Sequence, residues 1–307
     1  MPLQTYITQP LLPENFYHIY NRGNEKGTTI AFDEDNYYFF LRRWKKYMLS
    51  YVDTLAYCIL QDYYHIAVRI KPADEVLQAA ARHLRVVRKD EWQRLQRKLK
   101  KEVERLGYAR EGVKLNLTGE QLNLAGLHDS KSRISDQDRD DDTVNLPGSH
   151  GHGHGVDSRR HDISKLLASH ASSPPRISHL LDTLPLDMLT ELASWAVSER
   201  IRRFHLSYSK AINKQQNRRG SLMQKPFRRK LFEGKNNLKR LIRYIHNNPV
   251  HHGYAFEIAD YKWSSYNSFF SHEPTSLQRE EVISMFGGIK AFEEFHKKKR
   301  FDIFGEP

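Results

Sequence analysis

The sequence predicts an α+β fold, because patterns typical of strands and of helices both occur along a chain with enough apolar residues for a core. Of the 307 residues, 39% are hydrophobic, which is below the ~45–50% of an average globular chain but too high for a wholly unfolded one. Two aromatic-rich apolar runs lie close together between residues 54 and 70, and helical spacing of apolar residues recurs on both sides of them.

The N-terminal part predicts a strand, a helix and a hairpin in that order. Tyr17–Arg22 is typical of a strand, and Asp33–Ser50 carries aromatic and aliphatic residues at three- and four-residue spacing, as a helix does. Thr54–Leu60 and Tyr64–Ile70 predict an antiparallel hairpin that turns near Asp62. The alternation of side chains in the second strand predicts one apolar face and one polar face.

The middle of the chain has a different character. Residues 84–175 contain a charged, helix-like run from Arg85 to Arg110, an acidic patch, and a glycine-rich tract with alternating histidines. We interpret this segment as a long insertion, partly helical and partly disordered, that lies outside the core.

Regular patterns return after the insertion. Leu186–Asn217 predicts a long helix, and Asn236–Asn247 predicts a second one that ends before Pro249. The tail predicts two short helices, Arg279–Phe286 and Ile289–Lys299.

Charge and composition restrict the class of protein. No apolar run approaches the ~18–20 residues that cross a bilayer, and the start lacks the order of a signal peptide, so we expect a cytoplasmic protein without a membrane segment. The formal net charge is +12, and residues 201–250 hold 14 basic side chains against one acidic side chain, a balance of +13. A nearly acid-free stretch predicts contact with nucleic-acid phosphates. The candidate contacts are Arg218, Arg219, Lys225, Arg228, Arg229, Lys230 and Arg240.

Two further residues, Tyr244 and His65, have side chains that can take part in catalysis or bind a metal. Tyr244 lies beside the apolar stripe of the second helix, in one i,i+4 row with Arg240 and Asn248. His65 shares a strand face with Tyr63. Each pattern alone also fits a plain surface or core-edge residue.

Taken together, five motifs resemble the IS200-like single-tyrosine (Y1, HUH-type) transposase family, which includes the REP-associated tyrosine transposases. They are Tyr17-His-Ile-Tyr-Asn-Arg-Gly23, Tyr63-Tyr-His65, Gly220-Ser-Leu-Met-Gln224, Arg243-Tyr-Ile-His-Asn-Asn-Pro-Val250 and Trp263-Ser-Ser-Tyr266. The resemblance covers about residues 15–75 and 185–270. It implies a single domain over residues 1–307 with a ferredoxin-like antiparallel sheet flanked by helices, the insertion at 84–175 and a helical tail at 271–307. It also implies a homodimer.

The resemblance further implies DNA transposition and recombination. Tyr244 would nick hairpin-forming single-stranded DNA through a 5′-phosphotyrosine, with a divalent metal (Mg²⁺ or Mn²⁺) on His65 and Asn248. Tyr63 stands where the family has a histidine ligand, and a phenol is a weaker ligand than imidazole. Three outcomes stay open at this point: weak ligation by Tyr63, substitution by His18 or Asp62, or DNA binding without cleavage.

The aromatic residues leave two more hypotheses open. The protein could be an RNA-binding module that uses exposed aromatics on its sheet. Trp263 and Tyr266 could stack on unpaired bases, or they could pack the tail against the core.

Overall fold

Four strands form one antiparallel sheet in the computed structural model, which describes residues 9–25, 27–86 and 186–297. They are β1 (Phe16–Arg22), β2 (Val52–Ile59), β3 (Tyr63–Ile70) and β4 (Arg228–Phe232), in the spatial order β2-β3-β1-β4. Strand β1 therefore pairs with β3 on one side and with β4 on the other.

Six α-helices accompany the strands in the described residues. They are α1 (Glu34–Met48), α2 (Ala73–Val86), α3 (Leu186–Gln215), α4 (Lys235–His251), α5 (Arg279–Phe286) and α6 (Ile289–Lys297). The path from β1 through α1, β2, β3 and α3 to β4, with this strand order, is the ferredoxin-like arrangement. The predicted α+β fold is confirmed.

The described residues belong to two compact units. The first holds residues up to 77 and from 190 onward, and therefore the whole sheet, while the second holds residues 78–86 and 186–189. The predictions for residues 87–175, which include most of the insertion and its histidine tract, lie outside the described residues. No helix within the described ranges is both long and apolar enough to cross a membrane.

One face of the sheet packs on α1 and α3, as the alternation in β3 predicts. Tyr64 is fully buried there and its ring centroid lies 5.0 Å from that of Phe40 on α1. Its hydroxyl is 2.5 Å from His205 Nε2 on α3. Phe204 on α3 meets Phe40 edge to face at 5.0 Å, which closes this layer.

The other face of the sheet is buried too, under α4, α5 and α6. Ala67 of β3 lies in one apolar cluster with Leu241, Ile242 and Ile245 of α4 and with Phe292 of α6. The prediction of a polar face on β3 is therefore wrong, because the apolar stripe of α4 covers the strand residues that follow Tyr63. Histidine on this face is a buried residue rather than a surface one.

Helix α4 runs past the proline that was expected to stop it. Pro249 lies inside the helix, which continues to His251 and closes with a hydrogen bond from His252 N to Asn248 O. Proline removes one donor and hinders the preceding turn, and only Val250 and His251 of the helix follow it. Strand β4 was not predicted, because three consecutive basic residues obscure its alternation.

Candidate functional site

Two histidines on neighbouring strands are in direct contact on the α4 face of the sheet. The register of β1 and β3 sets His18 opposite Ala67 and Tyr20 opposite His65. His18 and His65 are therefore diagonal neighbours on the two strands, and His18 Nε2 lies 2.7 Å from His65 Nδ1. The two residues are only 2% and 8% exposed, so the ring nitrogens bond to each other rather than to bulk water.

Both imidazoles are neutral near pH 7. Burial, helped by nearby His252, lowers the pKa of His65 to about 3. Burial, His65 and Lys230 together hold the pKa of His18 well below its usual value. A hydrogen bond between two ring nitrogens needs one N–H and one lone pair, which two neutral imidazoles supply and two imidazolium ions do not.

Helix α4 places Tyr244 against this pair. The ring centroid of Tyr244 lies 5.6 Å from that of His65 and 6.0 Å from that of His18, edge to face in both cases. Tyr244 is partly exposed, whereas Leu241 and Ile245 of the same helix are buried against the sheet. The predicted nucleophile and the predicted strand histidine therefore meet at the edge of the core, within one chain.

Two buried oxygen atoms near these residues have no hydrogen-bond partner in the described part of the chain: Tyr63 Oη and Asn248 Oδ1. The amide nitrogen of Asn248 donates to Tyr244 O at 2.7 Å, and the ring of Tyr63 meets His65 edge to face at 5.2 Å. Burial raises the pKa of Tyr63 above its usual value of 10, and Asp62 raises it further. Tyr63 is therefore a neutral phenol at neutral pH.

Sequence reasoning did not single out His252, which lies at the opening of the site. Its ring centroid is 5.1 Å from that of Tyr63, and the side chain is exposed. The available signal was its spacing: His252 follows Asn248 by four residues, as Asn248 follows Tyr244. One row of α4 and its cap therefore lines the site.

Strand β4 brings positive charge to the same face. Its register with β1 sets Lys230 opposite His18 and Arg228 opposite Tyr20. Side chains alternate along a strand, so Arg229 points to the other face, where Nη1 donates to Ser198 Oγ at 2.8 Å. Two of the seven predicted phosphate contacts thus share the face of the site.

The remaining predicted cations lie elsewhere. Arg218, Arg219 and Lys225 belong to the connection between α3 and β4, and Arg219 and Lys225 are exposed there. Arg240 is exposed on α4, one turn before Tyr244. Asp62, considered as a substitute ligand, lies in the β2–β3 turn, where its Oδ1 is 3.5 Å from Tyr254 Oη.

No protein-family model and no curated protein matches the chain. One solved structure is similar. It is a REP-associated tyrosine transposase bound to a REP hairpin, with a TM-score of 0.39 and 8% identity over 87% of this chain and 86% of that chain. A similarity this weak does not support an assignment of function. A proposed function therefore has to rest on the residues of the site.

The donors at the site suit an oxygen-rich cation site better than a histidine or cysteine cluster. Within the described residues, no three His, Cys, Asp or Glu side chains are grouped so that they could hold a metal ion. The candidate donors are the buried oxygens of Tyr63 and Asn248, which have no partner in the described residues, and the ring nitrogen of His65 that does not face His18. Mixed oxygen and imidazole donors are compatible with Mg²⁺ or Mn²⁺.

The Trp263–Tyr266 segment packs against the core. Trp263 is buried and stacks on Tyr37 of α1 with ring centroids 4.6 Å apart. Tyr266 is buried too and stacks on Phe292 at 5.8 Å. For these two rings, packing against the core is therefore confirmed over base stacking.

Proposed function

We propose that the protein nicks and rejoins hairpin-forming single-stranded DNA, as a DNA transposase does, with Tyr244 as the nucleophile. The observation that carries the proposal is the meeting of Tyr244 with the neutral His18–His65 pair on a sheet face that also holds Lys230 and Arg228. A nucleophile, a proton acceptor and fixed positive charge are the three parts that attack on a phosphodiester requires.

The covalent step follows from the chemistry of a phenol. Tyr244 Oη forms a bond to phosphorus and the P–O3′ bond breaks, which leaves a 5′-phosphotyrosine and a 3′-oxygen. An ordinary phenol has a pKa of ~10, so its proton has to leave during attack, and the neutral imidazole of His18, whose ring lies edge to face with that of Tyr244, is the candidate acceptor. The 3′-oxygen takes up one proton to become a 3′-hydroxyl. The new phosphodiester keeps the bond energy, so a 3′-hydroxyl can later reverse the reaction.

Positive charge is needed where the phosphate gains negative charge. Lys230 and Arg228 supply fixed cations on the face of the site. His65 and Asn248 are the residues that would hold Mg²⁺ or Mn²⁺, with Tyr63 as a weaker neutral ligand. When bound, such an ion would add positive charge at the phosphate. The remaining basic residues of 201–250 would contact the DNA backbone.

A second candidate is a transposase-derived protein that binds hairpin DNA without cutting it. The buried neutral phenol of Tyr63 favours this candidate, because it weakens any metal site. The hypothesis of an RNA-binding module loses its basis, since helices cover both faces of the sheet in the described residues. A homodimer stays a prediction that rests on the family resemblance.

A labelled hairpin oligonucleotide with single-stranded flanks tests the proposal in Mg²⁺ or Mn²⁺. We expect wild type to form an adduct that survives denaturation and Tyr244→Phe to form none. Tyr254→Phe, at an exposed tyrosine whose hydroxyl lies near Asp62, should behave as wild type. Hairpin binding without an adduct in wild type would leave only the second candidate. Absence of binding would contradict both.

A further inference from the structure

A chain of buried hydrogen bonds links α4 to α6 and to β2, outside the site described above. His296 Nδ1 lies 2.7 Å from Phe292 O, and His296 Nε2 lies 2.9 Å from His246 Nδ1. His246 Nε2 lies 2.8 Å from Ser265 Oγ, which accepts from Tyr57 N at 2.9 Å. These hydrogen bonds thus connect α4, α6 and β2, which are not consecutive elements in the sequence.

Each proton in the chain can be assigned from its ends. A carbonyl only accepts, so Nδ1 of His296 carries the proton, and burial lowers the pKa of this residue to about 4, which leaves Nε2 as an acceptor. His246 Nδ1 therefore donates. With its Nδ1 proton donated to His296, His246 faces Ser265 Oγ with Nε2 at 2.8 Å and accepts the hydroxyl proton there. Both ring nitrogens of His246 then have a hydrogen-bond partner, and Ser265 Oγ also lies 3.2 Å from Tyr57 O.

The bonds restrict α4 in a way that its apolar contacts do not. His246 is surrounded by rings, with the centroids of Tyr266, Phe269 and Phe292 at 5.7, 5.7 and 6.0 Å. Apolar contact is not directional and tolerates small rotations. The two hydrogen bonds of the His246 ring, one on each nitrogen, form only when α4 has one rotation about its axis and one position along it.

His246 follows Tyr244 by two residues, which is about 200° around an α-helix. When His246 points towards Phe269 and Phe292, Tyr244 therefore points to the opposite side of the helix, where the His18–His65 pair lies. We infer that His246, held by His296 and Ser265, is a positioning residue that sets the rotation of α4 and so the place where Tyr244 Oη meets the phosphate. This inference rests on the proposed function. It concerns side chains that touch neither substrate nor metal.

The test changes His296, which lies on α6 and away from the site. In His296→Leu the acceptor for His246 is lost, and we expect adduct formation at saturating hairpin to slow by roughly 10- to 100-fold, because a shift of about 1 Å in a nucleophile has effects of that size. Hairpin Kd should stay within about twofold. His296→Gln keeps an acceptor and should recover most of the rate.

A matched control separates positioning from loss of stability. Tyr208→Phe removes another buried hydrogen bond, from Tyr208 Oη to Ile30 O at 2.8 Å, on the α1–α3 face of the sheet. All variants are compared well below their melting transitions. Equal slowing in Tyr208→Phe and His296→Leu, an unchanged rate in His296→Leu, or a parallel loss of hairpin binding would each overturn the inference.

A second readout does not depend on nicking. With 3-fluorotyrosine incorporated at position 244, the ¹⁹F shift reports the surroundings of the ring. The shift should move in His296→Leu and stay in place in Tyr208→Phe and His296→Gln. If wild type forms no adduct but the ¹⁹F shifts follow this pattern, the proposed chemistry fails while the positioning role stands. If the shift does not move in His296→Leu, the positioning role fails.

Discussion

At the scale of single residues, the neutral phenol of Tyr63 sets how strongly the site can hold a cation. Its hydroxyl is buried without a hydrogen-bond partner in the described residues, and its pKa is raised. Because imidazole is the stronger ligand for Mn²⁺, we expect Tyr63→His to raise Mn²⁺ affinity by about tenfold or more, measured by calorimetry. Tyr38→His, at an exposed tyrosine of α1, is the control. Equal Mn²⁺ affinities in wild type and Tyr63→His would contradict the metal assignment.

Single residues also show what sequence reasoning can and cannot reach. Tyr244 and His65 were predicted because each stands in a recognisable local motif. His18 was named only as one possible substitute, since its contact with His65 depends on the register of β1 and β3. His252 was missed, because no motif contains it and only its helix spacing connects it with Asn248.

At the scale of elements, β4 separates cations that look equivalent in the sequence. Lys230 and Arg228 face the site, and Arg229 packs against α3. A contact with one phosphate contributes about 0.7 to the slope of log K against log[salt] for a single strand. We expect Lys230→Gln and Arg228→Gln each to lower the slope by about that amount.

Arg229→Gln is the matched control for that strand. It should reduce thermal stability, because the bond to Ser198 is lost, and leave the salt slope nearly unchanged. An unchanged slope in Lys230→Gln would remove this residue from the proposed DNA contact.

Elements were predictable where apolar spacing is clear. The bounds of α5 agree with the prediction, and α1, α3 and the β2–β3 hairpin differ from it by a few residues at their ends. The spacing could not reveal β4, whose charged side chains hide its alternation, or the cover that α4 lays over β3. Both depend on contacts between segments about 160 residues or more apart in the chain, which no local pattern records.

At the scale of the whole molecule, five histidines of the described residues make the fold sensitive to acid, among them His205, whose pKa burial lowers to about 3. His18, His65, His246 and His296 are nearly fully buried, and burial lowers each pKa below the ordinary value of 6.5. Between the lowered pKa and 6.5 the unfolded chain binds more protons than the folded one, so stability is greatest above pH 6.5 and falls as pH decreases. For His65, whose pKa is about 3, the loss at pH 5 is of order 2 kcal/mol.

Chemical unfolding at pH 7.5 and pH 5 measures this effect. We expect a large drop in the free energy of unfolding for wild type and a smaller drop for His65→Asn. The exposed His251 serves as the control, and His251→Asn should lose as much as wild type. Equal stability of wild type at the two pH values would contradict the assignment of neutral buried histidines.

The order β2-β3-β1-β4 also has a consequence during protein synthesis. Tyr20 and Arg228 are neighbours across β1 and β4, although about two hundred residues separate them in the chain. A ribosome adds about 5–20 residues each second. Synthesis of the residues between β1 and β4 therefore takes about ten seconds or longer. During that interval one edge of β1 has no strand beside it, and an open edge invites pairing with other chains. The new chain can therefore pair with other chains through β1 until β4 has been made.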